Sequence, residues 1–292
     1  MNFKQQMEAK KKTKFPVKEF VADIKNDILH DRLTLPTLPD VALEALLIVN
    51  DVDSSAEDVA RIVSKDTSIA ARLVRYANSP IYHGSDPATT VSRAITRIGF
   101  DSVKQAIYLV SMRDVFETGI ELIRKRMNRL WQHSVRVASK SALLADQFPH
   151  LDKETALLAG LIHDVGVIPV LLKAKDYEEL HSSEANLEKV ISGLHMALGK
   201  ILLSHWKFEP VLLDVAALHD HLDREPPSDQ VDYVDIIQVA NILSYTGSGH
   251  IYARMDRRKI PAFRRLGLEE LMVPGGEAKL IEQTRDLQDK IF

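Results

Sequence analysis

Apolar residues recur along this chain at three- and four-residue steps, the repeat of α-helices that bury one face. Between Glu57 and Ala77 the apolar positions are Val59, Ile62, Val63, Ile69, Ala70, Leu73, Val74 and Ala77, which predicts one helix. Ser55 stands ahead of it with Asp58 three residues on. That pairing has the form of a capping box, in which a hydroxyl and a carboxylate satisfy the first free amides. Asn78-Ser79-Pro80 ends the run, since proline cannot continue a helix and asparagine tolerates a left-handed turn. Further helices are expected over Leu38–Val49, opening at Pro39 behind Thr37, over Thr90–Ile98 with Gly99 as its stop, and over Ser102–Phe116 capped by Asp101. Residues 117–127 are mixed and charged, and a change of lobe is placed there. Beyond it, Val135, Ala138, Ala142 and Ala145 stripe a helix over Leu130–Phe148, and Glu154–Ile162 is apolar enough to be buried. Leu187–Trp206, Pro210–His221 and Val234–Tyr245 follow as helices, with a loop at Pro226-Pro227. From Gly247 onward, Pro261, Gly267 and Pro274-Gly275-Gly276 predict short helices and irregular packing. No stretch alternates with period two between hairpin turns, and no internal repeat is visible. The fold class expected is all-α, a two-lobed helical bundle. Its parts are a polar tail (1–14), an N-terminal helical lobe (15–125), a second helical lobe (126–246) and a C-terminal extension (247–292).

Composition narrows the function classes. With 292 residues the chain is near the upper size for one core, which favours two lobes. The net charge of -3 lacks the basic surplus of a nucleic-acid binder, and an aromatic content of 6% argues against a base-stacking platform. Arg124-Lys125-Arg126 and the group Arg254, Arg257, Arg258, Lys259, Arg264 and Arg265 read as solvated surface. There are no cysteines, so a disulfide framework, a thiolate zinc site and a thiol nucleophile are all excluded. Lys10, Lys11, Lys12 and Lys14 give the N-terminus a solvated character with no apolar signal region. The longest apolar candidate, Val190–Leu203, is interrupted by Ser192, Gly193, His195, Gly199 and Lys200, short of the roughly 18 residues that a membrane span needs. No membrane partner is expected, and the cytoplasm is the expected location.

Candidate chemistry lies among the eleven histidines. His163-Asp164 follows the apolar run Ala156–Ile162 and precedes Gly166. An imidazole and a carboxylate at the end of a buried helix are costly unless paired or metal-bound. Together they suit a borderline or hard divalent ion. Further ligands must come from facing helices, as in other bundle sites. His133, His195 and His219 each fall on a separate predicted helix. A single buried histidine is more often a hydrogen-bonded core residue than a ligand, and for His163-Asp164 alone the two readings stand level. His205 and His221 read as packing or helix-end residues. His30, His83, His150, His181 and His250 lie in polar or loop contexts and receive no role. Ala77-Asn78-Ser79-Pro80 reads as a joint bonding backbone groups.

The order Trp131-Gln-His133-Ser and Ala159-Gly-Leu-Ile-His163-Asp164-Val-Gly166 resembles the core of the HD superfamily of metal-dependent phosphohydrolases. Upstream stand Leu35-Pro-Thr-Leu-Pro39, Val59-Ala-Arg-Ile-Val-Ser-Lys-Asp66, Ala71-Arg-Leu-Val-Arg-Tyr-Ala-Asn78-Ser79 and Val91-Ser-Arg-Ala94-Ile95-Thr-Arg-Ile-Gly99. This succession is similar to the HDOD family, the HD-related output domains of bacterial signalling proteins, over roughly residues 28–245. The resemblance implies an HD-like second lobe and metal ligands at His133, His163 and Asp164. His195 and His219 are further candidates. The last carboxylate ligand of the pattern would fall at Asn241, a neutral and weaker donor. Many HD hydrolases carry a lysine after the glycine, where this chain has Val167, and the Gly-Tyr-Pro of cyclic-dinucleotide phosphodiesterases is absent. The expectation is a signalling output or regulatory domain that binds a protein partner or ligand and keeps an incomplete metal site. The alternative is a phosphohydrolase acting on a nucleotide or phosphoester with a divalent ion (Fe, Mn, Ni, Zn or Mg). Nucleic-acid binding ranks third.

Overall fold

The structure is a computed structural model. It describes residues 15–30, 39–49, 54–82, 86–117, 119–226, 228–268, 271, 275–276 and 278–291. Every α-helix and 3-10 turn sits in an all-helical arrangement with no strand among the described residues. In chain order the helices are α1 (Val17–Leu29), α2 (Asp40–Val49), α3 (Ala56–Val63), α4 (Thr67–Ala77), α5 (Val91–Ile98) and α6 (Val103–Val115). There follow α7 (Glu121–Ala145), α8 (Lys153–Ile162), α9 (Val167–Ala174), α10 (Glu178–His181) and α11 (Glu184–His205). The last four are α12 (Pro210–Leu218), α13 (Tyr233–Ser244), α14 (Pro261–Leu266) and α15 (Ala278–Ile291).

The expected capping box is present: Ser55 accepts the Asp58 amide while Asp58 accepts the Ser55 amide at 3.1 Å. The single helix expected over Glu57–Ala77 is instead two, because Asp66 takes the amides of Ser68 and Ile69 at 2.8 and 3.0 Å and starts α4 afresh. Asn78 ends α4 without a left-handed turn (φ -95). Its side chain grips Ala88 from both sides, the amide nitrogen donating to the carbonyl and the oxygen accepting the amide, each at 2.8 Å. The joint reading is therefore correct. Ser102 stands at the N-cap position of α6, after a 3-10 turn over Phe100–Ser102, without a side-chain capping bond, and the capping role expected of Asp101 lies outside the described side chains. The tail 1–14, residues 35–38 of the Leu-Pro motif, Pro227 and Pro274 also lie outside the described residues.

Helices α2 to α6 pack on one another as a first lobe. In the second, α7 is the spine: it lies along α8 and also meets α9, α13 and α15. Two boundaries differ from the expected ones. Helix α1, within the expected N-terminal lobe, packs on α9 and α11 of the second, where Lys173 pairs with Asp27 at 2.8 Å and Tyr177 bonds Asp23 at 2.8 Å. Helix α7 begins at Glu121 rather than Leu130, so residues 121–127 of the charged segment placed as a joint are helix. Helix α15 reaches both α7 and α4. The most apolar stretch is also not Val190–Leu203. It is Lys153–Ala174, long and apolar enough to span a bilayer, but 89% of its apolar window is buried in the fold and the turn at 163–166 divides it.

Candidate metal centre

Two glycines set the backbones that carry the site. At Gly160 an added Cβ would lie 2.6 Å from the Ala138 Cα, so α8 rests directly on α7. At Gly166 it would lie 1.9 Å from the His195 carbonyl oxygen and 2.4 Å from the Gly199 amide nitrogen. The turn after α8 therefore presses against α11. These approaches bring His133 on α7, the His163-Asp164 turn, His195 on α11 and His219 at the end of α12 to one point.

Asp164 is the hub. Its Oδ2 lies 3.3 Å from His163 Nε2 and 3.6 Å from His133 Nε2, while its Oδ1 lies 3.2 Å from His219 Nε2 and 3.6 Å from His195 Nε2. His133, His163 and Asp164 form one group of donor atoms within 4.8 Å of one another, and Asp164, His195 and His219 form a second. His163 and His219 are fully buried, and His133 and His195 are nearly so.

The tautomers follow from the other ring nitrogens. His163 Nδ1 donates to the Gly160 carbonyl at 2.8 Å, His195 Nδ1 to Ile191 at 2.9 Å and His219 Nδ1 to Val215 at 3.2 Å. A backbone carbonyl only accepts, so each Nδ1 holds the proton and each neutral ring presents an Nε2 lone pair. His133 Nδ1 lies 3.4 Å from Ser244 Oγ, whose own proton goes to the Asn241 carbonyl at 2.7 Å. Lone pairs then face lone pairs: His195 Nε2 and His219 Nε2 are 3.2 Å apart, and the Asp164 oxygens face all four rings. Such an arrangement needs a cation at its centre, a proton or a metal. The buried Nε2 atoms of His133 and His163 and the Asn241 Oδ1 have no hydrogen-bond partner. The residues fit a metal, since ligating imidazoles ordinarily donate their second nitrogen to a carbonyl.

Without metal, protons take the place of the ions. Burial opposes a charged His163, but the adjacent Asp164 carboxylate raises its pKa overall. Burial likewise opposes a charged His195, yet the Asp220 hydrogen bond and the Asp164 charge lift it to about 9. His133 is pushed down to about 3 by burial and by the neighbouring His163. Burial would raise Asp164, but His163 and His219 hold it well below the usual carboxylate range.

Above the centre opens a cavity of about 570 Å³ whose walls include Arg126, Arg129 and Arg136. Arg126, Arg129, His133 and Arg136 stand at i, i+3, i+7 and i+10, one face of α7. Val167 stands where the pattern carries a lysine, and the arginines of the cavity wall come from another helix, where their stripe is visible in the sequence. Arg126 is shared with Glu188 at 2.6 Å and Glu184 at 3.0 Å. His250, given no role from sequence, stacks on Tyr245 at 3.8 Å and lines the same cavity. Asp220 was also passed over: it lies 3.4 Å from His195 Nε2, and its signal was a second His-Asp pair closing an apolar helix. Asn241 reaches the site edge, its Nδ2 3.4 Å from Asp220 Oδ1. Two of the C-terminal arginines serve the fold, Arg257 being buried and donating to the Leu271 carbonyl at 3.0 Å and Arg265 pairing with the buried Asp235, while Arg254, Arg258 and Arg264 are exposed as expected.

An all-helical fold with a buried His-Asp cluster under a cavity walled partly by arginines is a His-Asp helical domain. Among these, the chain belongs to the HDOD domain family, which it matches over residues 35–222. Its fold is similar to that of a candidate metal-dependent phosphohydrolase from Shewanella amazonensis SB2B, with TM-score 0.79, 26% identity, and coverage of 94% of this chain and 99% of that one. An HDOD domain protein from Geobacter sulfurreducens shares the fold with TM-score 0.62 at 23% identity, covering 90% and 99%. A candidate signal transduction protein from Marinobacter aquaeolei VT8 does so with TM-score 0.60 at 19% identity, covering 94% and 64%. By sequence, an uncharacterized protein of Treponema pallidum (strain Nichols) is 19% identical over 253 residues, 81% of this chain and 47% of that protein. Ribonuclease Y of Mycoplasma mycoides subsp. mycoides SC is 29% identical over 124 residues, 42% of this chain and 20% of that protein. The chain thus spans about half or less of the length of these two relatives.

Proposed function

We propose that this HDOD domain holds two divalent ions on either side of Asp164 and hydrolyses a phosphoester seated in the arginine-lined cavity. His133, His163 and one Asp164 oxygen would hold the first ion; His195, His219 and the other oxygen would hold the second. The observation that carries this reading is the set of Nε2 lone pairs converging on one carboxylate, with their Nδ1 protons already committed to carbonyls. Bound ions supply Lewis-acid polarisation of a phosphoryl oxygen and a more acidic water. Arg129 and Arg136 lie on the same helix face as His133 and complement phosphate charge. The histidines at the cavity floor are buried, so charges placed there act through a lower dielectric than in bulk water. The names of two relatives, a candidate metal-dependent phosphohydrolase and a ribonuclease, agree with phosphoester chemistry.

Asn241 favours a second reading, in which the domain binds ions or a phosphate ligand and passes the signal to a protein partner without turnover. A neutral amide at that position removes one negative charge from the centre. A relative described as a candidate signal transduction protein is in keeping with it. The test is metal content after reconstitution with Mn²⁺ or Fe²⁺, followed by hydrolysis of bis-p-nitrophenyl phosphate, nucleotides and short RNA. Two ions per chain and a turnover abolished by Asp164→Ala are expected. Metal bound without turnover of any substrate selects the output reading, and a chain that takes up no metal refutes the hydrolase and the ion-binding form of the second reading, leaving phosphate binding alone.

A further inference from the structure

The ligand sets above use one carboxylate for two ions. Asp220 is a second, and its surroundings aim it at the same centre. It follows His219 at the end of α12 and lines the cavity wall. Tyr252 donates its hydroxyl to Asp220 Oδ1 at 2.9 Å, and the Asn241 Nδ2 approaches that same oxygen at 3.4 Å. Both donors act on Oδ1. Oδ2 instead lies 3.4 Å from His195 Nε2, whose ring has its proton on Nδ1, committed to the Ile191 carbonyl. In the neutral ring an acceptor again faces a lone pair, a gap that a proton or a metal ion closes.

The spacing fits a coordination shell. Donors about 2.1 Å from one ion lie roughly 3.0 Å apart in octahedral and 3.4 Å apart in tetrahedral geometry. The gaps here are 3.2 Å from His195 to His219, 3.2 Å from His219 to Asp164 Oδ1, 3.4 Å from His195 to Asp220 Oδ2 and 3.6 Å from His195 to Asp164 Oδ1. Asp220 stands at the rim of the Asp164–His195–His219 group, coming no nearer to His219 Nε2 than 3.9 Å. The buried Asn241 Oδ1, without a partner of its own, is the neutral group beside this carboxylate.

We infer that Asp220 is the second carboxylate of the centre, its Oδ2 completing the His195–His219–Asp164 set for a divalent ion. It returns from α12 the negative charge that Asn241 on α13 does not carry. This rests on the metal reading above, and binding alone tests it. Mn²⁺ titration of chelator-stripped protein, followed by calorimetry and by the spin-resonance signal of free Mn²⁺, is expected to give two ions in the unaltered chain. Asp220→Asn should weaken the second by about ten-fold or more and leave the first unchanged. Asn241→Asp placed in that background should restore it. Tyr252→Phe, which keeps the carboxylate, should retain both ions. If Asp220→Asn fails to fold by circular dichroism, Asp220→Ser is read in its place. A second ion held with unaltered affinity in the Asp220 variants overturns the inference while sparing the parent reading; an unaltered chain that binds no Mn²⁺ overturns the parent. Failure of Asn241→Asp to restore binding overturns the replacement of charge.

Discussion

Substituting Gly166 by alanine tests how the centre is assembled. Gly166 has φ -68 and ψ -9, a conformation alanine adopts freely. On backbone grounds alone the change should stabilise by about 0.4–1 kcal/mol, through a less flexible unfolded chain. Packing reverses the sign. The new Cβ would sit 1.9 Å from the His195 carbonyl oxygen, 1.5 Å inside an ordinary 3.4 Å contact, and 2.4 Å from the Gly199 nitrogen. Both are backbone atoms of α11 and cannot swing aside as a side-chain tip would. Overpacking of this kind costs about 1–3 kcal/mol, at times more. A net loss of roughly 2 kcal/mol corresponds to a Tm drop of about 4–8 °C, at roughly 2–4 °C per kcal/mol for a chain somewhat shorter than this one. Because the struck residue is His195 itself, Mn²⁺ affinity at the His195–His219 side should fall while the His133–His163 side keeps its own. Scanning calorimetry and Mn²⁺ titration measure the two effects. Gly193, on α11 with nothing within 4 Å of an added Cβ, is the control, and its alanine variant should gain about 0.5–1 kcal/mol. A Gly166→Ala protein as stable as the original would refute the close approach and, with it, the account of how α11 brings His195 to the site.

Other outcomes follow from the same geometry. In chelator-treated protein, His133, held at about 3 when folded against 6.5 unfolded, makes stability rise as pH climbs from 3 to 6.5. His195, raised to about 9, contributes stability that is complete below 6.5 and lost as pH rises to 9, so Tm from these two groups should peak near 6.5. Bound metal takes the imidazole lone pairs and should remove the alkaline decline, which a Tm series with and without Mn²⁺ reads directly. Alanine at both Arg129 and Arg136 should weaken a phosphate-bearing ligand by about ten-fold or more while leaving Mn²⁺ stoichiometry at two, as measured by competition binding. Asn78→Ala removes both bonds to Ala88 and should destabilise the first lobe by about 1–3 kcal/mol in urea unfolding.

What could be read from residue order was the part decided by short-range chemistry. Ser55 and Asp58 announce a helix start because the groups they satisfy are three residues away. The break at Asp66 escaped because the apolar rhythm runs on across it, and only the aspartate's bonds to the amides of Ser68 and Ile69 reveal it. The start of α7 escaped for another reason. Its first turns are rich in Arg and Lys, which resembles solvated surface until the cavity wall is known to lie there. His133, His163 and Asp164 are legible as a motif, while Asp220 is not, because its approach to His195 crosses between separate helices. The structure suggests a better rule for this chain. In α8, and again in α12, an apolar helix runs into a His-Asp pair, and the histidine's Nδ1 turns back to a carbonyl three or four residues earlier. That local bond fixes which nitrogen remains open, a property of the helix end alone. Whether the open nitrogens meet depends on Gly160 and Gly166, which let α8 and its turn close on α7 and α11. The donor chemistry is therefore written in each segment by itself, and only the convergence belongs to the tertiary fold.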